Sequence, residues 1–128
     1  MSGRQVHNSD SAPAAVGPYS HAASAAGLVF ASGQLGLDPA TGTLVAGGVE
    51  GQARQALENL RAVAEAAGSS LERAVKVNVY LTDMADFQAV NAIYSEFFSG
   101  DEPPARAAVA VKALPLGGLV EVDAILAL

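Results

Sequence analysis

The spacing of apolar positions changes period several times along this chain, and each change marks an element. Leu28-Val29-Phe30-Ala31-Ser32 is a short apolar run that begins after Gly27 and stops at Gly33, which predicts a buried strand. Asp38-Pro39-Ala40-Thr41-Gly42 predicts a turn, because proline presets φ and glycine supplies a positive φ. Over residues 49–67 the period becomes helical: Ala53, Leu57, Leu60, Ala64 and Ala67 fall on one face, and Gly68 supplies the stop. Val75, Val77, Val79 and Leu81 then alternate with Lys76, Asn78 and Tyr80, the signature of a strand buried on one face. Thr82 or Asp83 caps a second helix, with Asp86 in its first turn and an apolar stripe of Phe87, Val90, Tyr94 and Phe97. Gly100 ends it.

Asp101-Glu102-Pro103-Pro104 cannot be helical and leads into a strand over residues 105–111. After a Leu-Pro-Leu-Gly-Gly loop, Val120, Val122, Ala124 and Leu126 alternate against Glu121, Asp123 and Ile125 in a last strand. The first 20 residues are polar, with Pro13 and Pro18, and predict a strand fragment followed by an extended loop. The order is strand, hairpin, helix, strand, helix, strand, strand. Two helices against a mostly antiparallel sheet make an α+β architecture, and 128 residues fit one domain.

Composition adjusts this picture. Hydrophobic residues make up 51% of the chain, but 27 of them are alanine, so one copy has a modest core that contact with other copies would enlarge. The net charge of -6, with seven Lys and Arg scattered along the chain, provides no basic patch for nucleic acid. The absence of cysteine removes disulfides, thiolate metal sites and a Cys nucleophile. No stretch of 18 apolar residues or signal-type segment is read, so the expected location is the cytoplasm and no membrane partner is expected. His7 and His21 show no metal-ligand spacing.

Arg106 opens an apolar strand directly after a Pro-Pro pair. Its guanidinium fork suits a carboxylate, although an exposed ion pair with Asp101 or Glu102 is the commoner circumstance for such a residue. The Gly-rich loop between the last two strands lets them pair as neighbours. That would bring Glu121 near Arg106, either as an acid/base carboxylate or as a cross-strand ion pair. Asn91 borders the buried stripe of the second helix, where an amide needs partners; it either bonds a loop or lines a pocket. Ser32 and Gly33 end the early strand, where glycine permits close approach of a ligand and a bulge explains it as well. Tyr19 lies in a loop with its hydroxyl available, or simply packs across that loop.

These scattered signals occur together in one pattern. VGPYSHA, ASGQLGLDPATG, the long stretch from GQARQALENL to YSEFF, PPARAAVAV and LVEVDAILAL follow one another in order and at fixed spacing. On them the chain resembles the reactive intermediate deaminase (Rid, YjgF-type) family, over nearly its whole length from about Pro13. The resemblance implies a chorismate-mutase-like fold and a homotrimer. The sheets would form a central barrel with the helices outside, and three clefts would lie between subunits. It implies no cofactor and no metal. It also implies hydrolysis of enamine and imine intermediates, released by pyridoxal-phosphate dehydratases, to 2-oxo acids and ammonia. The family's functional positions fall on Tyr19, Ser32, Gly33, Asn91, Arg106 and Glu121. Arg106 matches the carboxylate-binding arginine and Glu121 the water-holding glutamate. One departure is Ala108, where many members carry cysteine. A different enamine substrate, or binding of 2-oxo acids without turnover, is the alternative that the same residues leave open.

Overall fold

A computed structural model describes residues 3–128. The strands are β1 (Gln5–His7), β2 (Ala22–Ala25), β3 (Leu28–Leu35), β4 (Ala74–Leu81), β5 (Ala105–Ala110) and β6 (Val120–Ala127). The helices are α1 (Gly48–Ala66), between β3 and β4, and α2 (Phe87–Phe97), between β4 and β5. The six strands form one sheet in the order β1-β2-β3-β6-β4-β5. Every pairing is antiparallel except β4 with β5, which is parallel. A parallel neighbour requires a crossover, and α2 supplies it.

One face of the sheet carries the core. Val77, Val79 and Leu81 of β4 and Val120, Val122, Ala124 and Leu126 of β6 are buried in one cluster with Leu57, Leu60, Val63 and Ala64 of α1 and with Val90, Ile93 and Tyr94 of α2. The two helices therefore cover the same face, as their apolar stripes require. A bidentate pair joins them, with Arg54 donating to both carboxylate oxygens of Glu96 at 2.8 and 3.2 Å. The opposite face carries no helix. There Tyr80 and Asn78 donate to the two oxygens of Asp123 at 2.9 and 2.8 Å, and Phe30 and Val109 stay exposed.

Four expectations need correction. First, the last two strands are not neighbours, because β4 lies between β5 and β6. The Gly-rich loop between them crosses the end of β4 instead: Val111 N–H donates to Leu81 O, and Thr82 N–H donates to Leu119 O. Second, Ala22–Ala25 is a strand that the periodicity did not reveal, since alanine and serine carry little apolar contrast. It forms the hairpin with β3, through Ala26 and Gly27, both at positive φ. Third, β3 does not stop at Gly33 but runs on to Leu35 through a register shift between Ala31 and Gln34. Fourth, Val75 is exposed, because a second register shift between Ala74 and Lys76 leaves it outside the ladder.

Beyond its bulge, β3 presses onto α1. A Cβ placed on Gly36 would lie 2.5 Å from both the Cα and the carbonyl oxygen of Gln52, which are backbone atoms that cannot swing aside. Gly36→Ala is expected to destabilise the fold by about 3 kcal/mol, the upper range for forced overpacking. Urea denaturation of the variant beside the wild type measures it.

Candidate functional site

Four of the sequence-selected residues come together at the end of the sheet where β3 finishes and β6 begins. Tyr19, Ser32, Gly33 and Glu121 line one cleft of ≈ 790 Å³, walled by loop residues that include Val16 and Leu116. His21 sets the position of the Tyr19 loop. Its ring is buried, with Nδ1 accepting from Ser9 N–H at 2.9 Å and Nε2 donating to Pro13 O at 2.7 Å. Ser32 closes the same loop from the other side, its backbone N–H donating to His21 O and its hydroxyl to Ser20 O at 2.7 Å. Two buried amides on α1 hold the strand ends. Asn59 donates to Leu35 O and Leu37 O, while Gln52 Oε1 accepts from Leu119 N–H just ahead of β6.

Gly33 has a specific reason to be glycine. A Cβ there would lie 2.3 Å from Glu121 Oε2, so only a residue without a side chain lets that carboxyl rest against the β3 bulge. Glu121 is half-buried. Burial first, and repulsion from Asp123 second, push its carboxyl above the ordinary glutamate range. A carboxyl so placed can both take and return a proton nearer to neutral pH.

The raised value has a stability consequence with a definite sign. A carboxyl whose folded pKa lies above its unfolded value favours folding at pH below the unfolded value, and that contribution is lost as pH rises through the folded value. Above that folded value the charged Glu121 therefore favours the fold less than its neutral form does. Glu121→Gln is expected to raise the melting temperature at pH 7 and to raise it less, or not at all, at pH 4. Paired thermal melts at the two pH values check it.

Arg106 and Asn91 are elsewhere. Arg106 is paired in register with Val77, so its side chain points to the helix-covered face and meets α2. Its Nη1 donates to Asn91 Oδ1 at 2.6 Å, and its guanidinium carbon sits 4.7 Å from the Tyr94 ring centroid and 5.5 Å from that of Phe87. Glu121 is paired in register with Tyr80, on the opposite face and with β4 intervening. The two residues are thus two strands apart, about 10 Å, and three residues apart along the strands, about 10 Å more. The expected proximity of Arg106 and Glu121 does not occur within one chain. Nor does the expected ion pair with Asp101 or Glu102: among the described residues the ion pairs are Arg54–Glu96 and Arg61–Glu58. Ala108, two residues on, shares the Arg106 side of β5 and packs against the core. The cleft itself is lined by no Lys or Arg among the described residues, so it holds an acid without a cation, while Arg106 is a cation without an acid.

Sequence reasoning missed several contributors. Gln52 and Asn59 stand seven residues apart on α1, which places two amides on one helix face beside the apolar stripe, and that spacing was the available signal. Val16 and Leu116 are exposed apolar residues on irregular loops, where no periodicity could single them out. Phe87 and Tyr94 read as core stripe and prove also to be the bed of Arg106.

Residues 9–128 match the family model described as Endoribonuclease L-PSP, the YjgF/RutC/Rid family. The chain belongs to this family. Among Rid relatives, a mouse protein named 2-iminobutanoate/2-iminopropanoate deaminase is 50% identical over 122 residues, covering 95% of this chain and 90% of its own length. The crystal structure of RidA from the Antarctic bacterium Psychrobacter sp. PAMC 21119 superposes with a TM-score of 0.92 at 48% identity, covering 97% of this chain and 99% of that one. The E. coli TdcF structure with bound serine gives 0.91 at 36% identity, covering 97% and 98%. The α+β fold with its mixed sheet and two helices is thus the Rid fold. No helix among the described residues is long and apolar enough to cross a membrane.

Proposed function

We propose that this Rid-family chain is a hydrolytic deaminase of reactive 2-imino and enamine acids such as 2-iminopropanoate and 2-iminobutanoate. It works as a homotrimer whose clefts are each completed by Arg106 from a neighbouring copy. The observation that carries the reading is the division of the chemistry. One chain presents an acid-lined cleft with Tyr19, Ser32, Gly33 and Glu121, and, on the other face of the sheet, a braced guanidinium without a carboxylate. A small 2-imino acid has a carboxylate for the second half and an electrophilic carbon for the first. The helix-free sheet face, with Phe30 and Val109 exposed, supports assembly through that face. The deaminase name of the mouse relative and the amino acid bound in TdcF agree with a small amino- or imino-acid ligand.

In the cleft, Arg106 of the adjoining copy receives the substrate carboxylate on its fork and so fixes the imine carbon. Glu121 takes a proton from water as the water oxygen bonds to that carbon, giving a carbinolamine. The proton passes to nitrogen, with Tyr19 beside it. The carbinolamine hydroxyl then gives up its proton through Glu121 to the departing nitrogen as the C–N bond breaks, releasing ammonia and leaving the 2-oxo acid. Water and imine are consumed, and 2-oxo acid and ammonia are formed. The reaction that supplies the substrate is β-elimination from a hydroxy amino acid by a pyridoxal-phosphate dehydratase. The family model's description also suggests RNA cleavage, but a net charge of -6 offers phosphates no favourable surface.

The test couples the protein to threonine dehydratase in the presence of semicarbazide. The expected result is faster ammonia release and less trapped semicarbazone. An ammonia rate equal to that without the protein, at every concentration tried, overturns the reading.

A further inference from the structure

We infer that Phe87, Asn91 and Tyr94 form a preset seat for Arg106, which admits its carboxylate ligand only edge-on, and that none of the three touches the substrate. The inference rests on the carboxylate-binding role proposed for Arg106 and deepens it.

The three residues fall at i, i+4 and i+7 on α2, so one face of one helix presents ring, amide and ring in a row. Each contact takes a different part of the guanidinium. Asn91 Oδ1 accepts from Nη1 at 2.6 Å and so occupies one donor edge. The rings of Phe87 and Tyr94 attract the cation through its face, at 5.5 and 4.7 Å from the guanidinium carbon. The Nη2–Nε edge remains, and it offers two parallel N–H groups, the number a carboxylate takes.

Tyr94 supports a seating role rather than a catalytic one. It is 7% exposed, and its hydroxyl has no hydrogen-bond partner. α2 is itself held in place by the Arg54–Glu96 pair and by Arg61 lying 4.9 Å over the Phe97 ring. The seat therefore stands on a rigid element, and a long flexible side chain at an exposed strand edge starts out in its binding position. That removes an ordering cost which Arg would otherwise meet on binding.

The experiment is a double-mutant cycle read by equilibrium binding of 2-oxobutanoate, with steady-state kinetics beside it. Phe87→Leu is expected to weaken 2-oxobutanoate binding and raise KM about 3–10-fold, with kcat within about twofold and the oligomeric state unchanged. Phe87→Tyr, which keeps the ring, restores wild-type affinity. In the Arg106→Ala background, Phe87→Leu adds no further loss, because it acts only through the arginine. Equal losses in both backgrounds, or unchanged affinity in Phe87→Leu, overturn the seat. So does the absence of 2-oxobutanoate binding to the wild type, since Arg106 then has no carboxylate to receive. Binding and coupling as described, with no imine turnover, would leave the seat standing and remove the deaminase reading alone.

Discussion

Arg106→Ala is expected to lower kcat/KM for 2-iminobutanoate by about 10²-fold or more, the scale of truncating one partner of a desolvated charge pair. The fold should be unaffected. Arg106 is exposed on the outermost strand and makes no ion pair among the described residues, so its removal leaves no buried charge. Its loss uncovers the Phe87 and Tyr94 rings and frees one hydrogen-bonding group, Asn91 Oδ1, which water can reach on the half-exposed helix face. Circular dichroism and light scattering should match the wild type while the coupled assay falls. Full activity in Arg106→Ala would remove this residue from the site.

Glu121→Gln should lower kcat by about 10²-fold or more, within the range for loss of a general base, with a smaller change in KM. Glutamine keeps the shape that Gly33 accommodates but cannot accept the proton. The wild-type pH profile carries the same information. The base must be ionised, so the rate should fall as pH drops through a value raised above the ordinary glutamate range by burial and by Asp123. In Glu121→Gln that acid limb should vanish. An acid limb that persists in the variant would assign it to another group.

The parts of this molecule that were legible in its sequence are those where side-chain contrast follows backbone period. Helix α1 and strand β6 stand where their stripe and alternation put them, whereas α2 keeps its stripe but begins at Phe87 and not after a cap at Thr82 or Asp83, because Asp83 caps a separate 3₁₀ turn, Met84–Asp86. Strand β2 was invisible because its residues, Ala-Ala-Ser-Ala, differ too little in hydropathy to show which side is buried. The order of the last strands was misread for a different reason. A short Gly-rich connection between consecutive strands suggests a hairpin. Yet 111–119 is held across the end of β4 by bonds at Leu81 and Leu119, and no local pattern encodes that passage. The site shares this limit. Gly33 and Glu121 are 88 positions apart by numbering, and their closeness follows from the β3–β6 pairing. The family resemblance named both residues, but only the sheet register shows Arg106 and Glu121 to lie on opposite faces.

That separation has a genetic consequence under the shared-cleft reading. A copy lacking Arg106 still carries a sound Glu121, and a copy lacking Glu121 still carries a sound Arg106. Mixed in one trimer, the two lesions sort unevenly: one interface collects both defects, one collects none, and the third, between like copies, carries one. Two inactive alleles would therefore complement each other in the same cell, whereas a protein with its whole active site inside one chain offers no such rescue.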